Sequence, residues 1–561
     1  MKQVTACFKI VVLLCMLAGQ RSFAQPWDYL DVKQGYETLN LAIEGDTTAA
    51  GAPKSQNRVY RLERGGTYII NGYLVNTKGA PMRVFAADGT GPKPLIIVGV
   101  DQTGASSDFG RIEALAHFKN LYISGADMLG NYVRYTMAVY NDGTKLILDG
   151  LNIDATKQSH IRTYGTNTKI FFYNCEMRNS FDLASSGNGR FFDARALMAD
   201  SIVWQNNTFY VNAQRIFRMD GAIVKNVIFD HNTFYLGSFG SSTSSGTKQS
   251  GPIETGKGIK VQITNNIFRD LATEAMRHLK SINPPDRIPV VHVDSVKSAD
   301  FPESSRRWVV RNNAYGWSPQ FKAFWATIDS VKAPEFISPY GKSAFFNGTN
   351  PNFVESNNFE ELVQFADAPS PDSLLKYVKY RFSTKFAGVN PPDPRADKSG
   401  VGALSEKPET FGPEKDPYNF DYPTTQKAYT AGDNGFPLGD LNWFPAKKTA
   451  WLASGGTDVK AAKDAVVTDY VLEQNYPNPF NPATQIHYSL PKAAKVTITI
   501  YNAIGQKMVT LLNDQLQPAG KHSMLWNGRD ASSGKAISSG VYYYQLKAND
   551  YQVTKKMLLI K

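Results

Sequence analysis

Cysteine is nearly absent from this 561-residue chain, which has three, at Cys7, Cys15 and Cys175. Lys2 and Lys9 give a positive start, residues 10–18 are an apolar run, and Ser22-Phe23-Ala24 supplies small residues at a cleavage point. This is the pattern of a secretion signal over residues 1–24, leaving Gln25 as the first mature residue. Two cysteines depart with it, so Cys175 stands alone and no intramolecular disulfide can form. Seven histidines and one mature cysteine also argue against a structural zinc site. No second apolar run reaches membrane-spanning length, so no transmembrane helix is expected in the mature chain.

A strong charge bias is missing too. The formal net charge of +11 falls to +8 once Lys2, Lys9 and Arg21 leave with the signal. From Val471 onward ten Lys and Arg face only Glu473, Asp514, Asp530 and Asp550, leaving +2 for everything before. A nearly neutral body with a basic tail lacks the clustered basic face that phosphate binding needs, which excludes a nucleic-acid partner.

What is present is a repeat. Seven segments align without gaps: FKNLYISGADM, TKLILDGLNI, TKIFFYNCEM, ADSIVWQNNTF, VKNVIFDHNTF, IKVQITNNIF and RRWVVRNNAY. One apolar column reads Leu121, Leu146, Ile170, Ile202, Val227, Val261 and Trp308. A second, two residues on, reads Ile123, Leu148, Phe172, Trp204, Phe229, Ile263 and Val310. Period-two strands of constant length joined by connections of variable length describe a solenoid, in which each coil buries its apolar face by stacking on its neighbours. A third column, Ala126, Leu151, Cys175, Asn207, Asn232, Asn266 and Asn313, predicts an asparagine ladder whose amides bond along the stack. Cys175 shares that inward column and reads as a packing thiol, and His231 beside the ladder as a structural histidine.

The pattern from Gly35 to Tyr315 resembles the right-handed parallel β-helices of the pectate-lyase-like superfamily. The resemblance implies a cap helix near Tyr36 to Ile43, a first strand near Arg61 to Tyr68, and a β-helix domain over residues 25–446. Phe353 to Phe359 would form a late coil and Asp372 to Lys385 would pack alongside it. Gly439-Asp440-Leu441-Asn442-Trp443-Phe444 resembles the closing motif of secreted β-helix proteins, with residues 447–469 as a linker.

Residues 470–561 read as short alternating strands with Gly, Pro and Asn turns, a small β-sandwich. The fold class expected for the whole is therefore all-β, a parallel β-helix followed by a sandwich. The succession Tyr476-Pro477-Asn478-Pro479-Phe480-Asn481-Pro482, Tyr501 to Gln506, Trp526-Asn527-Gly528 and Ser539-Gly540-Val541-Tyr542 closely resembles the type A C-terminal sorting domain of type IX secretion cargo. That resemblance implies the type IX secretion machinery as partner and a secreted or cell-surface location in a Gram-negative bacterium.

Catalytic groups on a β-helix should align in columns across coils. Twelve residues before the ladder lie Arg195, Asp220 and Glu254, with insertions upstream at residues 180–189 and 238–251. Lyase chemistry on an acidic polysaccharide needs the substrate carboxylate neutralised and a base at C5. Asp220 and Glu254 could hold a calcium ion, with Arg195, Arg218 or Lys257 as base or neutraliser. Hydrolase chemistry would instead use Asp220 and Glu254 as paired acids. The alternative is a solenoid that binds glycans without catalysis, these residues being solvated turn positions.

Overall fold

Alternating side chains can bury one face only if the strands stack, and in the computed structural model they do so in three parallel sheets. The structure describes residues 27–560 except 51–52, 77–78, 183–187, 196–197, 220–221, 238–250, 274–288, 297, 328–333, 338, 383–391, 393, 395–417, 455, 457–469, 476, 491–493, 518–519, 530–536 and 550. The signal segment, both insertions in large part, and Asp220 fall outside them. Two compact units divide after Trp451.

The first unit is a right-handed parallel β-helix. Its first and second sheets have eleven strands each and its third has nine. Coil follows coil in register: Ile170 pairs with Ile202, Ile202 with Val227, Val227 with Val261, Val261 with Trp308 and Trp308 with Phe353. Phe209, Phe234 and Phe268 stack at centroid spacings of 5.2 and 5.1 Å, nearly the strand spacing itself. Each is at most 1% exposed, so each contributes roughly 1.5–3 kcal/mol by burial.

One coil departs from the sequence alignment. Leu146 pairs with Ala116 and Leu148 with Phe118, while Ile123 pairs with Ile153. The first segment is therefore displaced by five residues, so that Leu121 stands at the ladder position after the bend and Ile123 belongs to the second sheet. FKNLYISGADM carries apolar pairs at two positions, and the alignment without gaps takes the wrong pair. The coils also begin earlier than expected, because Asp28–Val32 pairs with Arg58–Leu62. The expected cap helix is present as Thr38–Glu44, burying Leu39 and Ile43.

The asparagine ladder runs from Asn207 through Asn232, Asn266 and Asn313, and the structure extends it to Asn358. Each Nδ2 donates to the next Oδ1, at 2.8, 3.0, 3.0 and 2.8 Å. Each Nδ2 also donates to a carbonyl of the coil before, for example Asn266 to Phe229 at 2.9 Å. Each Oδ1 takes the backbone N–H of the previous ladder residue as well. Cys175 occupies the same column, 1% exposed, and burial pushes its thiol up to about 12.

The residue before each ladder position makes the bend between the first and second sheets in the left-handed region. Asn120, Gly150, Asn174, Asn206, His231, Asn265, Asn312 and Asn357 all have φ between +52° and +68°. Asparagine and glycine tolerate this conformation better than other residues. At Gly150 a Cβ would also meet Asn120 Oδ1 at 2.3 Å.

Phe353–Ser356 forms the late coil, and helix Pro371–Phe382 packs Leu374 and Val378 into the same core. Helix Pro445–Ala453 carries a buried Trp451 whose ring meets that of His231, so ordered packing of this unit continues past residue 446. The second unit has a three-stranded and a four-stranded antiparallel sheet. Phe480, Trp526 and Tyr544 are buried in its core. No described helix is long and apolar enough to cross a membrane.

Candidate functional site

The third sheet carries the charged column. Phe192, Phe217 and Ile253 pair on successive coils and fill the core. Alternation therefore sets the residues after them, Asp193, Arg218 and Glu254, on the opposite side of the strand. The register continues to Arg162 on the coil before and His292 on the coil after. Two of the sequence candidates, Arg218 and Glu254, thus lie in one column on neighbouring coils. Arg195 is exposed just past the strand that holds Asp193, and Lys257 lies half-buried in the turn after Glu254.

Sequence reasoning missed the centre of this arrangement. Asp193 has no exposed side-chain surface, and three guanidinium groups surround it. Arg162 and Arg218 approach to 3.7 Å and Arg190 to 3.9 Å. A fourth, Arg215, lies 3.6 Å from Glu254. Neither carboxylate oxygen of Asp193 has a hydrogen-bond partner among the described residues. The amide of Gln214, fully buried beside Arg215, is likewise unpaired at both ends among them. Burial pushes Arg190 down to about 10; Asp193 opposes that fall, and the positive charges of Arg218, Arg215 and Arg195 add to it.

Tyrosines extend the surface along the stack. Arg162 donates to the hydroxyl of Tyr135 and lies 4.9 Å over its ring and 5.0 Å over that of Tyr164. Tyr164 stacks on Tyr140 at 5.1 Å, with Arg111 4.4 Å over Tyr140. The signal for this stripe was available in the sequence as Arg and Tyr recurring at third-sheet positions. It is hidden because the distance from third sheet to ladder varies. Asp193 and Arg218 precede their ladder asparagines by fourteen residues and Glu254 by twelve.

Chemically the cluster can neutralise and orient a ligand carboxylate by paired guanidinium contacts. It does not suit a dication, because both described carboxylates already face arginines. Among the described residues no group of three or more His, Cys, Asp and Glu side chains could hold a metal ion.

The model of the FlgD Ig-like domain family matches residues 481–552. No curated protein sequence matches the chain. Among solved structures, PorZ, an essential surface component of the type IX secretion system of Porphyromonas gingivalis, is 19% identical over 16% of this chain and 11% of its own, with a TM-score of 0.13. Dimeric latent PorU of the same organism is 19% identical over 16% of this chain and 9% of its own, with a TM-score of 0.14. The tailspike gp49 of Acinetobacter baumannii bacteriophage Fri1, a capsular polysaccharide depolymerase, is 10% identical over 96% of this chain and 78% of its own, with a TM-score of 0.24. The chain is thus similar to a family of small immunoglobulin-like domains over part of its C-terminal sandwich, and only distantly similar to these structures.

Proposed function

We propose that the protein is an exported β-helix that binds an acidic polysaccharide along the third sheet and cleaves it by lyase-type elimination. The observation that carries this reading is the crowding of Arg162, Arg190, Arg215 and Arg218 on consecutive coils around two carboxylates. In such a groove a guanidinium pair neutralises the uronate carboxylate and acidifies the C5 proton. Arg218, partly exposed in the same column, takes the C5 proton as the C4–C5 double bond forms and the C4–O bond breaks, and the departing oxygen takes up a proton from solvent. The stacked pair of Tyr140 and Tyr164 offers ring edges and hydroxyls to the flanking sugars. Delivery rests on the signal segment and the sorting-domain resemblance, which point to type IX secretion and a secreted or surface location.

The test is to incubate the mature full chain with a panel of uronic-acid polysaccharides, with and without calcium, following the ultraviolet absorbance of unsaturated products and the release of reducing ends. Activity lost in Arg190→Lys and Arg218→Ala variants that still fold supports the assignment. Binding without product on every polymer would leave a glycan-binding solenoid and discard the lyase. Neither binding nor product would discard both.

A further inference from the structure

A second polar cleft lies at the bend between the first and second sheets, closed on one side by the segment that follows the coils. Its volume is about 400 Å³, within the usual ~300–1,000 Å³ of small-molecule sites. Lys93, Asn152 and Glu176 form one wall, and Asp440, Trp443 and Lys448 the other. Lys93 Nζ donates to Asn152 Oδ1, and Asn152 Nδ2 donates to Glu176 Oε2 at 3.3 Å. The hydroxyl of Tyr210 donates to the other oxygen of Glu176. Lys448 Nζ donates to the side-chain oxygens of Asn174 and Asn442. Asp440 takes the Thr208 hydroxyl at 2.8 Å and the Asn442 N–H at 2.9 Å.

We infer that this cleft is a binding site for an uncharged sugar unit of a glycan, separate from the arginine column. Lys93 is paired with Glu176 through the Asn152 amide and Lys448 with Asp440 through the Asn442 amide, so a charged ligand would have to break a pair that a neutral one leaves intact. The lining offers donors and acceptors in alternation, the complement of adjacent sugar hydroxyls. The half-buried indole of Trp443 is fixed by its Nε1 on the Thr208 hydroxyl at 2.8 Å and supplies apolar surface for ring C–H groups. Nothing in this inference depends on cleavage at the third sheet. The two sites together would let one molecule hold a polymer containing both neutral and acidic residues.

The test titrates the mature full chain by calorimetry with neutral hexasaccharides of mannan, xylan, galactan and β-glucan, and with hexagalacturonate. At least one neutral hexasaccharide should bind with a Kd of about 1 mM or tighter. Glu176→Gln and Lys93→Met should each weaken it about tenfold or more, with thermal unfolding of each variant compared to the parent. Lys448→Met, at the opposite wall, gives the same readout if either of those variants fails to fold. No binding to any neutral hexasaccharide, binding of hexagalacturonate alone, or neutral binding that all folded variants retain would overturn the inference.

Discussion

Asn266→Ala tests whether the ladder carries the stack. In the native coil the Asn266 side chain accepts from the Asn232 N–H at 2.9 Å and from Asn232 Nδ2 at 3.0 Å, and it donates to the Phe229 carbonyl at 2.9 Å. Alanine takes that partner from the Asn232 N–H, from one of the two Asn232 Nδ2 hydrogens (the other keeps the Trp204 carbonyl) and from the Phe229 carbonyl, all of them buried. At ~1–3 kcal/mol for each orphaned group the loss is at least ~3 kcal/mol. Asn358→Ala removes the same kinds of contact at the half-buried end of the ladder, where water replaces them, and should cost about 1 kcal/mol. Asn266→Asp keeps both accepted bonds but cannot donate to Asn313 or Phe229, so it should resemble the alanine variant. Urea unfolding followed by tryptophan fluorescence is suitable, because Trp204 and Trp308 are fully buried in nearby coils. A loss below about 1 kcal/mol for Asn266→Ala, with an unchanged denaturant slope, would refute the reasoning.

Three further outcomes follow from the geometry. Asp193→Asn removes the negative charge from among Arg162, Arg190 and Arg218 and should destabilise the β-helix by ~3–5 kcal/mol; a denaturation midpoint equal to the parent's would contradict the ringed carboxylate. The Cys175 thiol, buried and raised to about 12, should resist iodoacetamide at neutral pH until the chain is unfolded in urea, as read by mass spectrometry. Burial raises Asp440 from 3.8 to about 6, with bonds from Asn442 and Thr208 opposing. A carboxyl raised in the folded state holds its proton there while the unfolded chain has lost it. Stability from this group should therefore fall by roughly 3 kcal/mol as pH rises from ~4 to ~6. Asp440→Asn should flatten that part of the stability profile, and an unchanged slope would exclude the group as its source.

The scaffold was legible because its signals are periodic. Apolar columns two residues apart and asparagines at one inward position follow from the strand pleat and the coil spacing, and six of the seven aligned segments stack as aligned. The segment that slipped, FKNLYISGADM, has Leu121 at the ladder position and offers a second apolar pair, Leu121 and Ile123, five residues after the pair Ala116 and Phe118 that the stack uses. The column of bends at Asn206, Asn265, Asn312 and Asn357 was written in the sequence as paired asparagines, yet only the first of each pair takes positive φ. The third-sheet cluster was half legible. Arg218 and Glu254 fall in it, whereas Asp193, Arg190 and Arg162 were invisible to counting back from the ladder, because connections between sheets differ in length. The role of Asp440 was not legible at all, since its partners Thr208 and Thr233 lie more than two hundred residues away.

Those distant partners change how the β-helix should come apart. A solenoid whose coils touch only their neighbours frays from its ends, one coil at a time. Here a single stretch near the end of the unit is tied to many coils at once: Asp433 to Arg311 and Asn265, Gly439 to Asn265, Asp440 to Thr233 and Thr208, Asn442 to Asn206, and Lys448 to Asn174. Coils from Asn174 to Arg311 are thereby clasped like pages along a spine, and none of them can open without releasing the clasp. The chain can stack its coils in the order they emerge, but it becomes an all-or-none unit only when residues 433–448 arrive. Trimming the protein just before that stretch should leave the coils in place and remove their cooperativity.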